Sequence, residues 1–548
     1  MSGVFDYVIV GGGSAGCVLA ARLAENPGTR VLLLEAGPPA DDVDEIHVPA
    51  AYNRLFRSTY DWNYVTVPQE RADGRPLYWP RGRVLGGSSA LNAMIYIRGS
   101  RVDYDAWRDD FGCTGWGFSD LLPYFLRAED NSRGTSPYHG TGGPLSVQDL
   151  RHKSEHARNF IAAAAGRGAV QNDDFNGPRQ EGVGFYQVTQ RDGRRCSAAD
   201  AYLRNKPQNL TIVTNALATG LVIEGGRAAG VTYRLAGREE TARAEAEVIL
   251  AAGAIGSPQL LMLSGIGPAE HLRDQGIYVI ADNPAVGANL ADHPQVPVVW
   301  STPGGRGLWE SSGSTGLLRW LLTHKGPLTS NIAEAGGFAR SDPELVEPDL
   351  QWHALPVGFR EQGLADPASR AMTVLVTLVD VASRGRITLA SRDPRHRPLI
   401  DPGYLSEVSD LGALAAGVRM ARDYGTAAPM SRFCAAELAP GNGVHTDHEI
   451  RDYIRASLVT TYHPAGTCAM GDDSGPARRR TASVVDPLLR VRGVDGLRVV
   501  DASVMPALPR GNTNAPVIAI AERAADLIVG RAPLAPLEPA EVTSVTAD

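Results

Sequence analysis

The feature that most constrains this chain is a glycine turn set between two apolar strands near its start. Phe5-Asp6-Tyr7-Val8-Ile9-Val10 is a run of strand formers, and Gly11 to Gly16 reads Gly-Gly-Gly-Ser-Ala-Gly. Ser14 to Glu25 then carries Cys17, Leu19, Ala20 and Leu23 on one helical face. A second apolar strand, Arg30 to Leu34, ends at the acid Glu35. Strand, turn, helix and strand make a βαβ unit. Its glycines fit G-x-G-x-x-G: the first permits a tight turn, the second lets a pyrophosphate approach the backbone, and the third lets the helix pack close to the strand. The helix start offers free N–H groups and a positive dipole end to phosphate. Glu35, 19 residues after Gly16, stands where an acceptor for a ribose hydroxyl belongs. The pattern predicts a dinucleotide site and leaves NAD and FAD open, while the acid disfavours the 2′-phosphate of NADP.

Composition narrows the class. The 548 residues are 43% hydrophobic and 21% charged, as in an ordinary globular chain. The 60 glycines are clustered, which points to tight turns and close backbone approach. A net charge of −8 argues against nucleic acid as a partner. Five cysteines with no CxxC pair suit a reducing compartment and make a metal site unexpected. Asp292-His293 has no companion at ligand spacing and reads as a structural hydrogen bond; Cys468 reads as packing. No apolar run is long enough to span a membrane, and the first strand starts too early for a signal peptide. The expected location is therefore cytoplasmic.

Along the chain, residues 37–80 form a long segment with little periodicity, the kind that serves as a lid or binding loop. Arg81 to Asn92 is a second glycine-serine cluster, and 253–267 a third. A helix is predicted near 154–166, strands at Leu210–Thr214 and Glu247–Ala251, and a hairpin about Glu224 to Arg227. Met372 to Val381 has strand propensity throughout, and Ser383 to Arg386 reads as a turn between strands, which predicts an antiparallel sheet in a second domain. Leu497 to Val500 is a further strand. Asn514-Ala515-Pro516 opens a last helix through Val529, with Asn514 as its N-cap. The tail from Ala532 reads as a loosely held arm, and Arg478-Arg479-Arg480 as a solvated loop that could dock an acidic electron carrier. The fold class is α/β, α+β overall: a Rossmann-like cofactor domain (1–152, 200–298 and 456–535) interwoven with a substrate domain on an antiparallel sheet (153–199 and 299–455), then a tail (536–548).

Gly82-Arg83-Val84-Leu85-Gly86-Gly87-Ser88-Ser89-Ala90-Leu91-Asn92 and Gly253-Ala254-Ile255-Gly256-Ser257-Pro258, the latter continuing to Gly267, resemble the two signature motifs of the glucose–methanol–choline (GMC) oxidoreductases. Asp61-Trp62-Asn63-Tyr64, Val286 to His293, Ser383-Arg384-Gly385 and Tyr462-His463-Pro464-Ala465-Gly466-Thr467 extend the resemblance over residues 4–530, most like the bacterial FAD alcohol and choline dehydrogenases. It implies FAD and oxidation of a primary alcohol to an aldehyde by hydride transfer to flavin N5. An acceptor (oxygen, a quinone or a carrier protein) then takes the electrons.

By the same resemblance His463 is the catalytic histidine. An imidazole with an ordinary pKa of about 6.5 can take the hydroxyl proton as hydride leaves; the alternative is a histidine buried in a turn before Pro464. Asn514 matches the second catalytic position. Cofactor contacts are implied at Gly11, Gly13, Ser14, Ala15, Gly16, Glu35, Ala36, Arg83, Gly87, Ser88, Asn92, Ala93, Ala218, Asp501, Ala502, Asn512 and Thr513, with Asp501 alternatively a strand-end turn residue. Leu91 stands where members with covalently attached flavin carry histidine, so the FAD is expected to be non-covalent. Glu334 aligns with a glutamate that binds the choline cation in some members, although Asn331 and Ile332 precede it where a cage would want tryptophans. The rival readings are a choline dehydrogenase or oxidase, a non-redox or light-driven use of the same scaffold, and a flavin-binding sensor.

Overall fold

The computed structural model describes residues 3–303, 308, 314–359, 370–472 and 482–539. The Arg478-Arg479-Arg480 run and residues 540–548 lie outside them. The predicted βαβ unit is present as the strand Val4–Val10, the helix Ser14–Leu23 and the strand Val31–Leu34. These strands join Leu210–Val213, the end of Arg238–Leu250, and Leu497–Val499 in a parallel array. Its order is 210–213, 31–34, 4–10, 238–250 and 497–499. Val8, Ile9 and Val31 to Leu34 are buried, as continuous apolar strands in a sheet covered on both faces should be. The first half of Arg238–Leu250 pairs antiparallel with Arg227–Leu235, which pairs with Ala216–Glu224. That is the predicted hairpin.

The second sheet is antiparallel throughout. Its order is Glu437–Ala439, Pro294–Ser301, Ala371–Leu378, Leu350–Leu355, Ala335–Ala339 and Gly182–Phe185, with Val459–Thr460 beside Pro294. Two pieces expected in the cofactor domain, residues 294–298 and 459–460, thus pair here. Strand alternation sorts its side chains. Trp352 faces the helix Val408–Thr426, its ring 5.8 Å from that of Tyr424. Gln351, His353 and Leu355 point the other way, toward the first domain.

Glycine brings the Gly11–Gly16 turn and the first signature cluster together. Gly11 sits at φ +102°, and a Cβ on Gly87 would lie 2.6 Å from the Cα of Gly13. Gly86 N–H also donates to the Gly12 carbonyl at 2.7 Å. The tail departs from expectation. Leu534 N–H donates to the Tyr124 hydroxyl at 3.0 Å and Leu537 N–H to the Ser119 carbonyl at 2.9 Å, so residues through 539 are tied to the helix Phe118–Ala128.

A Cβ on Gly16 would stand 1.8 Å from the Gly11 carbonyl oxygen. Gly16→Ala is therefore expected to lower stability by about 1–3 kcal/mol or more through overpacking, read as a drop in Tm.

Candidate active site

The glycine turn, the second signature, the last helix and one face of the antiparallel sheet enclose a cavity of about 910 Å³. Every residue nominated for the cofactor lines it except Gly16, whose place is the helix–strand contact. The helices Ser14–Leu23 and Asn514–Ile528 both begin at this cavity, and neither is capped by a side chain. Two positive helix ends thus remain for an anion or for a reduced isoalloxazine.

Glu35 accepts from Gly12 N–H at 2.8 Å and Gly37 N–H at 2.7 Å, and burial nevertheless pushes its carboxyl up to about 7. Its carboxyl keeps capacity for a ribose hydroxyl. Asp501 is committed to the backbone and to a serine: it accepts from Ser257 Oγ at 2.6 Å, Gly253 N–H at 2.9 Å and Ser503 N–H at 2.8 Å. The turn reading describes its hydrogen bonds, although it also borders the cavity. Open glycine backbone, two bare helix starts and an acid at the end of the second strand fit an FAD-sized dinucleotide.

His463 lies at the junction between this cofactor side and the antiparallel sheet. Its backbone N–H donates to Asp292 Oδ1 at 2.7 Å, and Nδ1 faces His293 Nδ1 at 3.1 Å. Its Nε2 lies 3.2 Å from Asn512 Nδ2. Burial holds the imidazole well below 6.5, helped by His293, His353 and Arg81 nearby. Asp292 Oδ2 also accepts from Thr460 Oγ1 at 2.5 Å and from the Tyr404 hydroxyl. The expectation of a structural hydrogen bond at Asp292-His293 describes this pair, but not its address: both residues hold His463. An acid and a histidine together at the mouth of an apolar strand were the only signal for it.

Two nominated side chains fall elsewhere. Asn514 Oδ1 accepts from Ser14 Oγ at 2.8 Å, so the asparagine beside His463 is Asn512. The reason is Gly511, whose φ of +123° turns the chain and aims Asn512 at the histidine before the helix starts. The N-cap of that helix is Thr513. Glu334 is fully buried away from the cavity, accepting from Ser154 N–H and Ser330 Oγ, both at 2.6 Å. It fastens the start of the helix Glu155–Gly166 and touches no substrate space.

Asp292→Ala would leave the His463 N–H, the Thr460 hydroxyl and the Tyr404 hydroxyl without an acceptor. At about 1–3 kcal/mol for each buried donor left unpaired, a loss of about 3 kcal/mol or more is expected in denaturant unfolding.

Residues 5–295 and 381–521 match the two models described as GMC oxidoreductase. An alcohol dehydrogenase [acceptor] of Pseudomonas putida is 44% identical over 98% of this chain and 97% of its own length. The mitochondrial choline dehydrogenase of Homo sapiens is 42% identical over 96% of this chain and 90% of its own. Pyridoxine 4-oxidase from Mesorbium loti superposes with a TM-score of 0.87 at 35% identity, covering 96% of this chain and 100% of that one. A formate oxidase of Aspergillus oryzae RIB40 superposes with a TM-score of 0.90 at 31% identity, covering 97% and 99%. No helix among the described residues is long and apolar enough to cross a membrane. With two family models spanning most of its length and relatives alike end to end, the chain belongs to the GMC oxidoreductases, a family of FAD enzymes acting on alcohols.

Proposed function

We propose that this enzyme oxidises an uncharged primary alcohol with an apolar body to its aldehyde, with His463 as the base and FAD held without a covalent link. The observation that carries the reading is the placement of His463. It is a neutral imidazole with Nε2 beside the Asn512 amide, between the cofactor side of the cavity and an apolar chamber lined by Ile95, Ile332, Leu355, Val357 and Leu375. FAD, when bound, supplies the acceptor for hydride at flavin N5. The chain's residues do the rest. The chamber takes the apolar body and excludes water. Asn512 and His463 hold the hydroxyl, and His463 Nε2 receives its proton as the Cα–H bond breaks. Leu91 borders the cavity and offers no nucleophile for a covalent link to flavin.

A choline reading has one observation in its favour. Tyr52, Phe56 and Tyr462 line the same cavity with ring centroids 6.0 and 5.8 Å apart, and aromatic faces bind quaternary ammonium. Against it, Glu334 is turned away. Asp61, at the cavity wall, is already engaged by Arg57 and Arg81 N–H groups and the Tyr78 hydroxyl.

The test is the visible spectrum of the anaerobic holoenzyme before and after a panel of primary alcohols that includes choline. Bleaching by an apolar alcohol supports the proposal, and bleaching by choline alone overturns the substrate class. Flavin that no alcohol bleaches would move the reading to another reaction. Admitting air then separates oxygen from a quinone or carrier protein as acceptor. His463→Ala is expected to slow flavin reduction by about 10²–10⁴-fold with FAD retained. The base form exists above the folded pKa, and that pKa lies well below 6.5. The reduction rate should therefore stay level as pH falls through 6.5 and decline only in more acid solution. Asn512→Ala should impair reduction, whereas Asn514→Ala should loosen FAD retention.

A further inference from the structure

The hydrogen atoms around His463 can be assigned from a residue outside the cavity wall. The Tyr186 hydroxyl donates to the Trp352 carbonyl at 2.5 Å, so its single hydrogen is committed. Its oxygen can then only accept, from Gly337 N–H at 3.2 Å and from Gln351 Nε2 at 3.4 Å. That fixes which end of the fully buried Gln351 amide is the NH₂. The same Nε2 reaches Asn512 Oδ1 at 3.1 Å. With Oδ1 so held, Asn512 presents its own NH₂ to His463 Nε2, 3.2 Å away. A nitrogen that accepts carries no hydrogen, so the neutral ring bears its proton on Nδ1. From there it donates to His293 Nδ1 at 3.1 Å. His293 in turn keeps its proton on Nε2. That nitrogen has no partner of full hydrogen-bond geometry among the described residues, yet the Val379 carbonyl favours a proton on this ring.

We propose that Gln351 is a positioning residue for the oxidation: through Asn512 it locks His463 in the Nδ1-protonated tautomer, so that Nε2 keeps a lone pair, which the substrate hydroxyl takes over from the Asn512 NH₂ when it binds. The proposal rests on His463 being the base. Strand alternation is what makes it possible, because Gln351 leaves Leu350–Leu355 on the face that also carries His353. In the opposite amide orientation Asn512 Oδ1 would face Nε2. The ring would then need a hydrogen there and would have no lone pair to offer. The charged and titratable groups that face His463 are His293, His353, Arg81 and Asp292, whose carboxylate takes the His463 backbone N–H, and none of them donates to Nε2 from the Asn512 side.

Gln351→Glu tests this with a sign opposite to that of the parent enzyme. A buried carboxyl has a raised pKa. While protonated it can still donate to Asn512 Oδ1, and the tautomer holds. Once ionised it can only accept, so Asn512 rotates and offers Oδ1 to His463. In anaerobic stopped flow with an alcohol that bleaches the parent holoenzyme, the variant's flavin reduction should fall as pH rises. By pH 9 it should be roughly tenfold or more below the parent, the order of a general-base contribution. Gln351→Leu, which frees Asn512 to rotate, should be slower at every pH with no new pH-dependent limb. FAD content of both variants checks that they fold. Gln351→Glu and Gln351→Leu both matching the parent in rate and pH shape would overturn the proposal.

A second measurement does not depend on turnover. In ¹⁵N-histidine spectra of the holo protein, with His463 assigned by its absence from His463→Ala, Nε2 should be unprotonated and Nδ1 protonated at pH 7.5. A hydrogen on Nε2 would refute the assignment whatever the kinetics. If no alcohol reduces the flavin, the functional reading fails while the spectrum still decides the tautomer.

Discussion

The carboxylate of Asp292 is the contact on which the reaction centre depends. It lies just ahead of the Pro294–Ser301 strand of the antiparallel sheet and takes hydrogen bonds from the backbone of His463, from Thr460 and from Tyr404. These donors come from two distant parts of the chain. One buried acceptor thus anchors the loop of His463 to the antiparallel sheet that walls the cavity. Burial raises the Asp292 carboxyl above its usual range, and the donors and Arg81 act against that rise. The arrangement holds only while the donors stay in place, as expected of a buried charge that needs full satisfaction. Tyr462, held at φ +68°, shows the backbone bending to deliver His463 to that clamp.

The same economy governs the cofactor side. The Gly11–Gly16 turn and the 82–92 signature are far apart in sequence but meet through glycine, where side chains would collide. Two helix starts then converge on one cavity, and the Ser14–Asn514 hydrogen bond ties them to each other. Farther along the same helices, Glu522 accepts from Arg22 and Arg127 at 2.8–2.9 Å and from the Tyr202 hydroxyl at 2.8 Å. The buried carboxylate thus fixes the angle at which both helix starts meet the cavity. The last helix must be placed accurately because Asn512 and Asn514 stand at its start and meet different partners, His463 and Ser14.

Much of this was legible from residues alone, and what was not has physical causes. The βαβ unit, the hairpin near residue 225 and the antiparallel sheet were legible because periodicity and turn chemistry are local. The lining of the cavity was legible because glycine clusters signal close backbone approach wherever they fold. Asn514 was nominated as the partner of His463, and Asn512 is the asparagine that meets it, because the two have the same side chain and only the turn at Gly511 decides between them. Glu334 was read as a cation ligand on alignment of its neighbourhood, but its direction is set by Ser154 and Ser330, which no local pattern reveals. Gln351 was invisible for a related reason. A polar residue in the strand Leu350–Leu355 looks like a break in an apolar run until its partners, from separate segments, are known.

His463 poses a last question of electrostatics. If His463 is the base, as proposed, an imidazole held well below 6.5 is a poor match for the proton of an alcohol, and it is flanked by two further neutral imidazoles and by Arg81. His293 and His353 are themselves pushed down to about 3 and about 4, chiefly by burial. An imidazolium in this setting is therefore disfavoured by desolvation and by every neighbour that could carry positive charge. It becomes favourable only when negative charge develops in the same cavity, and two-electron reduction of a bound flavin brings such a charge. On the proposal that His463 is the base, complete proton transfer to it would follow the negative charge that FAD, when bound, takes up with the hydride. The low basicity that would weaken His463 as a base also keeps its own ring uncharged over a wide range of pH, so that its lone pair stays available.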